Sequence, residues 1–501
     1  MKDATLIFGP PGTGKTNTLL NLIDKYLKNG TEPNSIGFIS FTKKSVNEAK
    51  ERASLRFKKE IDWFYYFRTI HALAFRQLGM STSDVMNRKN YIELGDIAGL
   101  KITGVRRDEQ QIYELSKGDQ LLFLESLARL CCKSYRDIYD QTNPDFSWDE
   151  FDLFTRTFIN YKKTKLLYDF TDMLTKYYNE GYKPKLKVLF VDEAQDLCLL
   201  QWKIVEQLAN NSEKTFIAGD DDQAIFRWSG AEIDFFINLT SKCKTIILHK
   251  SYRLPKDVYN LSIEIVERIP KRIKKEFKAR DEKGKVNYIA NINEINMSKG
   301  AWLILVRNIY MIEEIMDYLR SIGYLYESIL DKPTKNNSLK AAFIWENLRA
   351  GKPASVSDIK LMCSFMSKNH LKGSISKALK DIENDFLTLP ILNNLIEITC
   401  QNKIWHEALD LMAIDDREYY IAARRIGESF LKNPRIKIST IHGAKGGESE
   451  NVILYTDISK RTYDAMMNNY DDEVRVFYVG ITRTLKNLFI IQPQTPNYFT
   501  I

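Results

Sequence analysis

The sequence is poor in the features that mark secreted or membrane-bound chains. Six cysteines (Cys131, Cys132, Cys198, Cys243, Cys363 and Cys400) are spread over 501 residues with no C-x-x-C spacing and no pairing rhythm. They read as reduced core thiols, which predicts a cytoplasmic protein rather than a disulfide scaffold. No apolar run approaches the length of a membrane span, so no membrane partner is expected. The start, Met1-Lys2-Asp3-Ala4, leads straight into an apolar strand and predicts no signal peptide. Repeats and low-complexity tracts are missing, and no nuclease signature stands in the flanks or insertions.

What remains has the balance of an ordinary globular chain, with 44% hydrophobic and 28% charged residues. Its length suggests roughly three domains. The net charge of +8 is compatible with a nucleic-acid partner without demanding one. Lys271 to Lys285 is dense in Lys and Arg, and reads most simply as a solvated face or loop.

The strongest local signal is Gly9-Pro10-Pro11-Gly12-Thr13-Gly14-Lys15-Thr16. It fits G-x-x-x-x-G-K-[ST], the P-loop. An apolar run, Thr5 to Phe8, precedes it, and Leu19, Leu20, Leu22, Ile23 and Leu27 follow at helical spacing. The motif therefore sits at a strand-to-helix junction, the context it requires. Its glycines let backbone N–H groups wrap a phosphate, and the helix adds its positive dipole end. Gly9, Gly12, Thr13, Gly14, Lys15 and Thr16 are the expected nucleotide-binding set. Lys15 is expected to reach the β- and γ-phosphates and Thr16 to ligate Mg²⁺.

Further buried strands are expected at Ile36 to Phe41, Tyr66 to Ile70, Lys187 to Val191 and Thr215 to Ala218, with helices between them. This alternation predicts a doubly wound α/β domain whose ligands bind beyond the carboxyl ends of the strands. A second α/β unit is expected to open near Thr245 to Leu248 and to include Ala301 to Arg307. Its sheet should return at Ile436 to Ser439, Val452 to Tyr455 and Leu488 to Ile491. Two long stretches, about Ala72 to Lys165 and Lys332 to Leu431, lose the strand signal and read as helical insertions.

Three groups carry candidate chemistry. Asp192-Glu193 ends an apolar strand, so Asp192 is expected to hold Mg²⁺ and Glu193 to polarise an attacking water. Gln223, in Gly219-Asp220-Asp221-Asp222-Gln223, is expected at the γ-phosphate or its water, and Phe226-Arg227-Trp228 beyond it suits base stacking. Arg253 and Arg483 are candidate cations for the transferring phosphoryl group.

Taken in order, these pieces resemble superfamily 1 helicases of the UvrD/Rep/PcrA type. The resemblance rests on GPPGTGKT (9–16), FISFTKKSVNEAKERA (38–53), FRTIHALAF (67–75), YDFTDML (168–174), VDEAQD (191–196), GDDDQAIFRWSGA (219–231), LHKSYR (248–253), ISTIHGAKGGE (438–448) and VRVFYVGITR (474–483). It implies an α/β fold of two RecA-like P-loop motor domains with parallel sheets, each carrying an inserted, mainly helical subdomain, and an ATP site between the motors. The implied division is a first motor at 1–75 and 166–243 around an insertion at 76–165. The second motor takes 244–331 and 432–501 around an insertion at 332–431.

The resemblance also implies roles. Tyr252 stacks on adenine, Arg253 and Arg483 are fingers on the γ-phosphate, and Glu448 meets the nucleotide sugar or the polar network near it. Lys15, Glu193, Gln223, Arg253 and Arg483 form the catalytic set. Phe41, Thr42, Lys43, His71, Phe226, Trp228, Thr440, His442 and Lys445 match positions that face DNA. The implied activity is an ATP-dependent DNA helicase and translocase using ATP and Mg²⁺, moving 3′→5′ on single-stranded DNA and opening duplex junctions. Replication or repair proteins are the implied partners, and the setting is the reducing, DNA-associated cytoplasm. A nucleic-acid-stimulated ATPase that binds or remodels nucleic acid without processive unwinding is the alternative. The chain departs from the family pattern at Ser229, where Arg is frequent, and at Gly447 and Ser449, which flank Glu448 in place of apolar residues.

Overall fold

The computed structural model describes the chain apart from residues 2, 42, 59, 105–115, 333–334, 381, 383–385 and 430–432, and apart from the side chains of 44, 48 and 61. The chain forms two compact units. The first comprises Met1–Tyr288, Ile441–Glu448 and Thr456–Ile501, and the second Ile289–Thr440 and Ser449–Tyr455.

The first unit is built on strands β1 (Ala4–Phe8), β2 (Ile36–Ser40), β3 (Phe67–Thr69), β4 (Leu186–Asp192), β5 (Ser212–Gly219) and β6 (Lys244–Ile247). Their order is β3-β2-β4-β5-β1-β6, and every neighbouring pair is parallel. Parallel strands must be covered on both faces, and successive side chains point to opposite faces. The residues obey this: Leu6, Phe8, Ile39, Leu189, Val191 and Ile217 enter one core, while Ile7, Phe38, Val188, Phe190 and Ala218 enter another. Helices Lys15–Lys28 and Lys43–Phe57 cover the second face. Helices Ile70–Gln77, Phe170–Glu180 and Leu199–Asn210 cover the first.

Register decides where chemistry can collect. Phe8 pairs with Gly219 and Ile247, and Ser40 pairs with both Asp192 and Thr69. The strands therefore end level, and the loops after them share one rim, where ligands of open α/β sheets bind.

Two expectations shift. Lys244–Ile247 was expected to open the second unit, but it is an edge strand of the first sheet, with Phe8 opposite Ile247. An apolar run cannot say which sheet receives it; here the turn Leu239–Ser241 returns the chain beside β1. The strand at Tyr66 to Ile70 is shorter than expected, because the Thr69 hydroxyl accepts from the Ala72 N–H and starts a helix at Ile70.

The stretch between β3 and β4 is mainly helical and has its own core. Arg88–Ala98, Lys117–Leu130, Tyr135–Thr142 and Trp148–Lys165 pack around Leu94, Leu121, Leu124, Phe151, Phe154 and Phe158. Part of the expected insertion, 105–115, lies outside the described residues. A charge cluster ties these helices to the start of helix Phe170–Glu180. Arg129 meets Glu125, Asp169 and Asp172 at 2.6, 2.6 and 2.9 Å, and Lys162 meets Asp169 and Asp172 at 2.7 and 2.6 Å. Asp169 is also the N-cap of helix Phe170–Glu180, accepting from the Asp172 N–H at 2.7 Å.

In the second unit, Trp302–Val306 lies between Ile436–Thr440 and Ser449–Tyr455, and Tyr326–Ser328 follows Ile436–Thr440; all these pairs are parallel. Helices including Asn337–Arg349, Val356–Cys363 and Ile414–Arg425 fill most of the stretch between Tyr326–Ser328 and Ile436–Thr440. Two antiparallel two-residue ladders interrupt them. Within that stretch, 333–334, 381, 383–385 and 430–432 lie outside the described residues. No helix among the described residues is long and apolar enough to cross a membrane.

Candidate functional site

The P-loop spans the gap between β1 and helix Lys15–Lys28. Gly12 and Gly14 take left-handed φ values of 71° and 79°, which turn successive N–H groups inward and would strain any side chain. Gly12 is also too close to its neighbours for a Cβ, which would stand 2.3 Å from the Arg253 Cβ. The loop is braced by Thr13, whose hydroxyl donates to the Pro10 carbonyl at 2.8 Å. The Lys15 ammonium folds back onto the Gly9 carbonyl, also at 2.8 Å.

The acidic pair closes the site from β4. Thr16 Oγ1 donates to Asp192 Oδ2 at 3.0 Å, joining two hard oxygen ligands beside the phosphate loop. Burial, then repulsion from Glu193, pushes the Asp192 carboxyl up to about 7. A divalent cation would relieve that strain, and this donor set suits Mg²⁺, which takes one or two protein oxygens and completes its shell with phosphates and water. Among the described residues no group of three or more His, Cys, Asp or Glu side chains could hold a metal alone. Glu193 has a φ of 52°, an uncommon conformation for a residue with a side chain. Burial opposes its charge, but Lys15 and Lys445 outweigh it and hold the carboxyl below its usual range. An ionised acid beside the phosphate loop is what a general base requires.

The expected cations arrive from distant parts of the first unit. The segment Ser251–Arg253 lies on the P-loop: the Ser251 hydroxyl donates to the Pro11 carbonyl at 2.7 Å, and the Tyr252 N–H to the Gly12 carbonyl at 2.8 Å. Tyr252 is 67% exposed, with the Lys250 ammonium 5.8 Å from its ring centroid. Arg253 Nε donates to Glu448 at 2.7 Å, which brings two expected nucleotide residues into contact. Arg483 is almost fully buried, and its Nη2 donates to Gln223 Oε1 at 3.0 Å. Burial, then repulsion from Arg253, pulls the Arg483 guanidinium pKa downward. An anion placed between these two arginines would reverse that penalty.

Sequence reasoning missed the mounting of Gln223. Asp220, Asp221 and Asp222 are buried, and the Lys275 ammonium contacts all three carboxylates, at 2.9 Å for Asp220 and 2.8 Å for Asp222. Arg272 grips Asp222 with two bonds, at 2.8 and 2.5 Å. Burial opposes charge at Asp222, and Lys275 and Arg272 outweigh it, holding the carboxyl below its usual range. Arg475 adds a bond to the Asp221 carbonyl at 3.1 Å. Asp220 accepts from the Gln223 amide at 2.6 Å and so sets the direction in which Gln223 points. The basic run Lys271 to Lys285 is thus not simply a solvated face, because Lys275 is its buried centre. The available signal was three adjacent acids after a buried strand, a charge that burial forbids without cations.

The residues expected at DNA are divided. Phe41 and Phe226 lie 5.4 Å apart, Phe226 and Trp228 6.4 Å, and Phe226 and His442 6.0 Å between ring centroids. His71 meets Phe170 edge to face at 5.9 Å. Lys43 is exposed at the start of its helix. Lys445 is engaged within the protein: it pairs with Asp196 at 2.6 Å, donates to the Gln223 carbonyl at 2.7 Å and sits over the Phe226 ring at 5.0 Å. His442 is buried, with Nε2 3.1 Å from the Ile225 carbonyl. Thr440 is buried at the end of its strand in the second unit. Thr42 lies outside the described residues.

Residues 1–244 match the UvrD/REP helicase N-terminal domain. The chain is 24% identical to a probable DNA helicase II homolog of Mycoplasma genitalium, over 98% of this chain and 82% of that protein. It is 25% identical to the ATP-dependent DNA helicase PcrA of Staphylococcus epidermidis, over 63% of this chain and 44% of that protein. Identity to the ATP-dependent DNA helicase Rep of Buchnera aphidicola is 26%, over 50% of this chain and 38% of that protein. Residues 1–244 of the chain thus carry a UvrD/REP helicase N-terminal domain, and nearly the whole chain is similar to proteins named as DNA helicase II homologs.

Proposed function

We propose that the chain is an ATP-hydrolysing DNA helicase that translocates 3′→5′ along single-stranded DNA and separates duplex at junctions. The observation that carries this reading is the convergence of Lys15, Thr16, Asp192, Glu193, Gln223, Arg253 and Arg483 at one sheet rim. A generic P-loop protein does not need the last three.

The P-loop N–H groups and Lys15 hold the β- and γ-phosphates. Thr16 and Asp192 would hold Mg²⁺, which neutralises phosphate charge when bound. Glu193 takes the proton of a water that attacks the γ-phosphorus, and the bond to the β–γ bridging oxygen breaks to leave ADP and phosphate. Arg253 and Arg483 stabilise the charge spread over the transferring phosphoryl group, and Gln223 orients the water. Tyr252 stacks on the adenine and Glu448 meets the sugar. Phe41, Phe226 and Trp228 give the strand a sequence-tolerant stacking platform, and Lys43 and His71 lie along its path. Thr42, Thr440, His442 and Lys445 complete the proposed contacts, Lys445 after leaving Asp196. Gln223 is shared by the two sites through its side chain on Arg483 and its carbonyl on Lys445, which gives strand binding a route to the phosphate end.

The test is displacement of a labelled strand from duplexes with a 3′ or a 5′ single-stranded tail, with ATP and Mg²⁺. Displacement from the 3′-tailed substrate alone is expected. Displacement from the 5′ tail reverses the direction. DNA-stimulated hydrolysis with no displacement replaces this reading with a nucleic-acid-stimulated ATPase that grips or remodels DNA.

A further inference from the structure

The stacking platform does not end with the residues of the motor sheet. Trp228 sits in the short turn Arg227–Ser229, and its ring faces Phe123 of helix Lys117–Leu130, with centroids 6.2 Å apart and planes 27° from parallel. Phe123 belongs to the helical insertion. Its helix buries Leu121, Leu124 and Ala128 in the insertion's core, while Phe123 packs against that core only half-buried.

The pairing is built in. Gly230 ends the Trp228 turn with a φ of 96°, and a Cβ there would meet both Leu127 Cδ1 and Cys131 Sγ at 3.2 Å. That close approach presses the turn against the end of the Phe123 helix. Phe41, Phe226, Trp228 and Phe123 then form a ladder with steps of 5.4, 6.4 and 6.2 Å. All four line one cavity of about 620 Å³. That volume is within the range of small-molecule sites, and a nucleobase is smaller than most such ligands. The Trp228 Nε1–H is buried and has no hydrogen-bond partner.

We propose that Phe123 is a further base-stacking residue, so that the insertion takes one unpaired nucleobase of the bound strand against Trp228 within this cavity. The proposal rests on the DNA reading above. Every base has a flat face for the two rings, so the site is tolerant of sequence. Entry of the base parts Phe123 from Trp228, and the insertion helix registers that the strand is occupied.

The test compares wild type, Phe123→Ala, Phe123→Tyr and Trp228→Ala for binding to two fluorescent strands of equal length, oligo(dT) and an abasic analogue. Stacking of one base predicts that Phe123→Ala weakens oligo(dT) binding by on the order of 10-fold and leaves abasic binding unchanged. Phe123→Tyr keeps the ring and should bind as wild type does. Equal affinity of wild type and Phe123→Ala for oligo(dT), with Trp228→Ala weakened, overturns the role of Phe123 and leaves the DNA reading intact. Parallel loss on both strands overturns it too, because a merely structural role is then sufficient. A wild-type protein that binds neither strand overturns this proposal and the DNA reading together.

Discussion

The Lys275 ammonium stands 2.9 Å from the Asp220 carboxylate, and Asp220 in turn accepts from the Gln223 amide at 2.6 Å. A cation in the basic run thereby fixes a residue at the phosphate end of the site. Its removal leaves three buried carboxylates facing one another with Arg272 as the remaining cation bonded to Asp222. Lys275→Met should therefore destabilise the fold by about 3–5 kcal/mol, the usual cost of breaking a buried ion pair. Lys275→Arg should recover part of that loss. Denaturant unfolding checks both, and a Met variant as stable as wild type would mean that the triad of acids is not charged.

Glu193 should separate binding from chemistry. Glu193→Gln keeps the size and the hydrogen-bond reach but cannot take a proton. The expected result is a fall in kcat of about 10²–10⁴ with nucleotide affinity close to wild type. Equal loss of nucleotide binding would move Glu193 from the chemical step to ligand retention. Steady-state hydrolysis and binding of a fluorescent nucleotide measure the two separately.

The charge cluster of the insertion gives a pH-dependent prediction. Burial opposes ionisation of Asp169, but Arg129 and Lys162 outweigh it and hold the carboxyl far below its usual range. A depressed folded-state pKa contributes stability that is fully present above the unfolded-state value, about 4, and is lost as pH falls toward the folded value. Asp169→Asn should lower stability by about 3 kcal/mol at neutral pH, and the gap to wild type should narrow below about pH 4. A gap that stays constant through that range would mean that the loss does not come from the carboxylate's charge, since Asn also caps helices. Thermal unfolding across pH resolves this.

Much of this was legible because the signals were local. The P-loop carries its requirement for strand, turn and helix between Thr5 and Leu27, and Asp192-Glu193 and Gly219-Asp220 announce themselves at the ends of apolar runs. The joint order of the motifs supplied the family. What stayed hidden depends on register and on long-range pairing. Nothing in Lys244–Ile247 says that it pairs with β1. Lys275 looks like its solvated neighbours until the acids it neutralises are brought to it. Lys445 reads as a strand-facing cation, yet in the fold it is paired with Asp196. Phe123 belongs to no motif, and only folding sets it on Trp228.

The central claim is that one site couples phosphate chemistry to strand binding through Gln223 and the arginines. ATP hydrolysis with and without single-stranded DNA tests it most directly, on wild type beside Lys15→Ala and Arg483→Ala. Strong stimulation by DNA in wild type, lost in both variants, is the predicted result. Turnover that ignores DNA, or full stimulated activity in Arg483→Ala, would contradict the coupling and leave a P-loop ATPase whose strand site, if any, is separate.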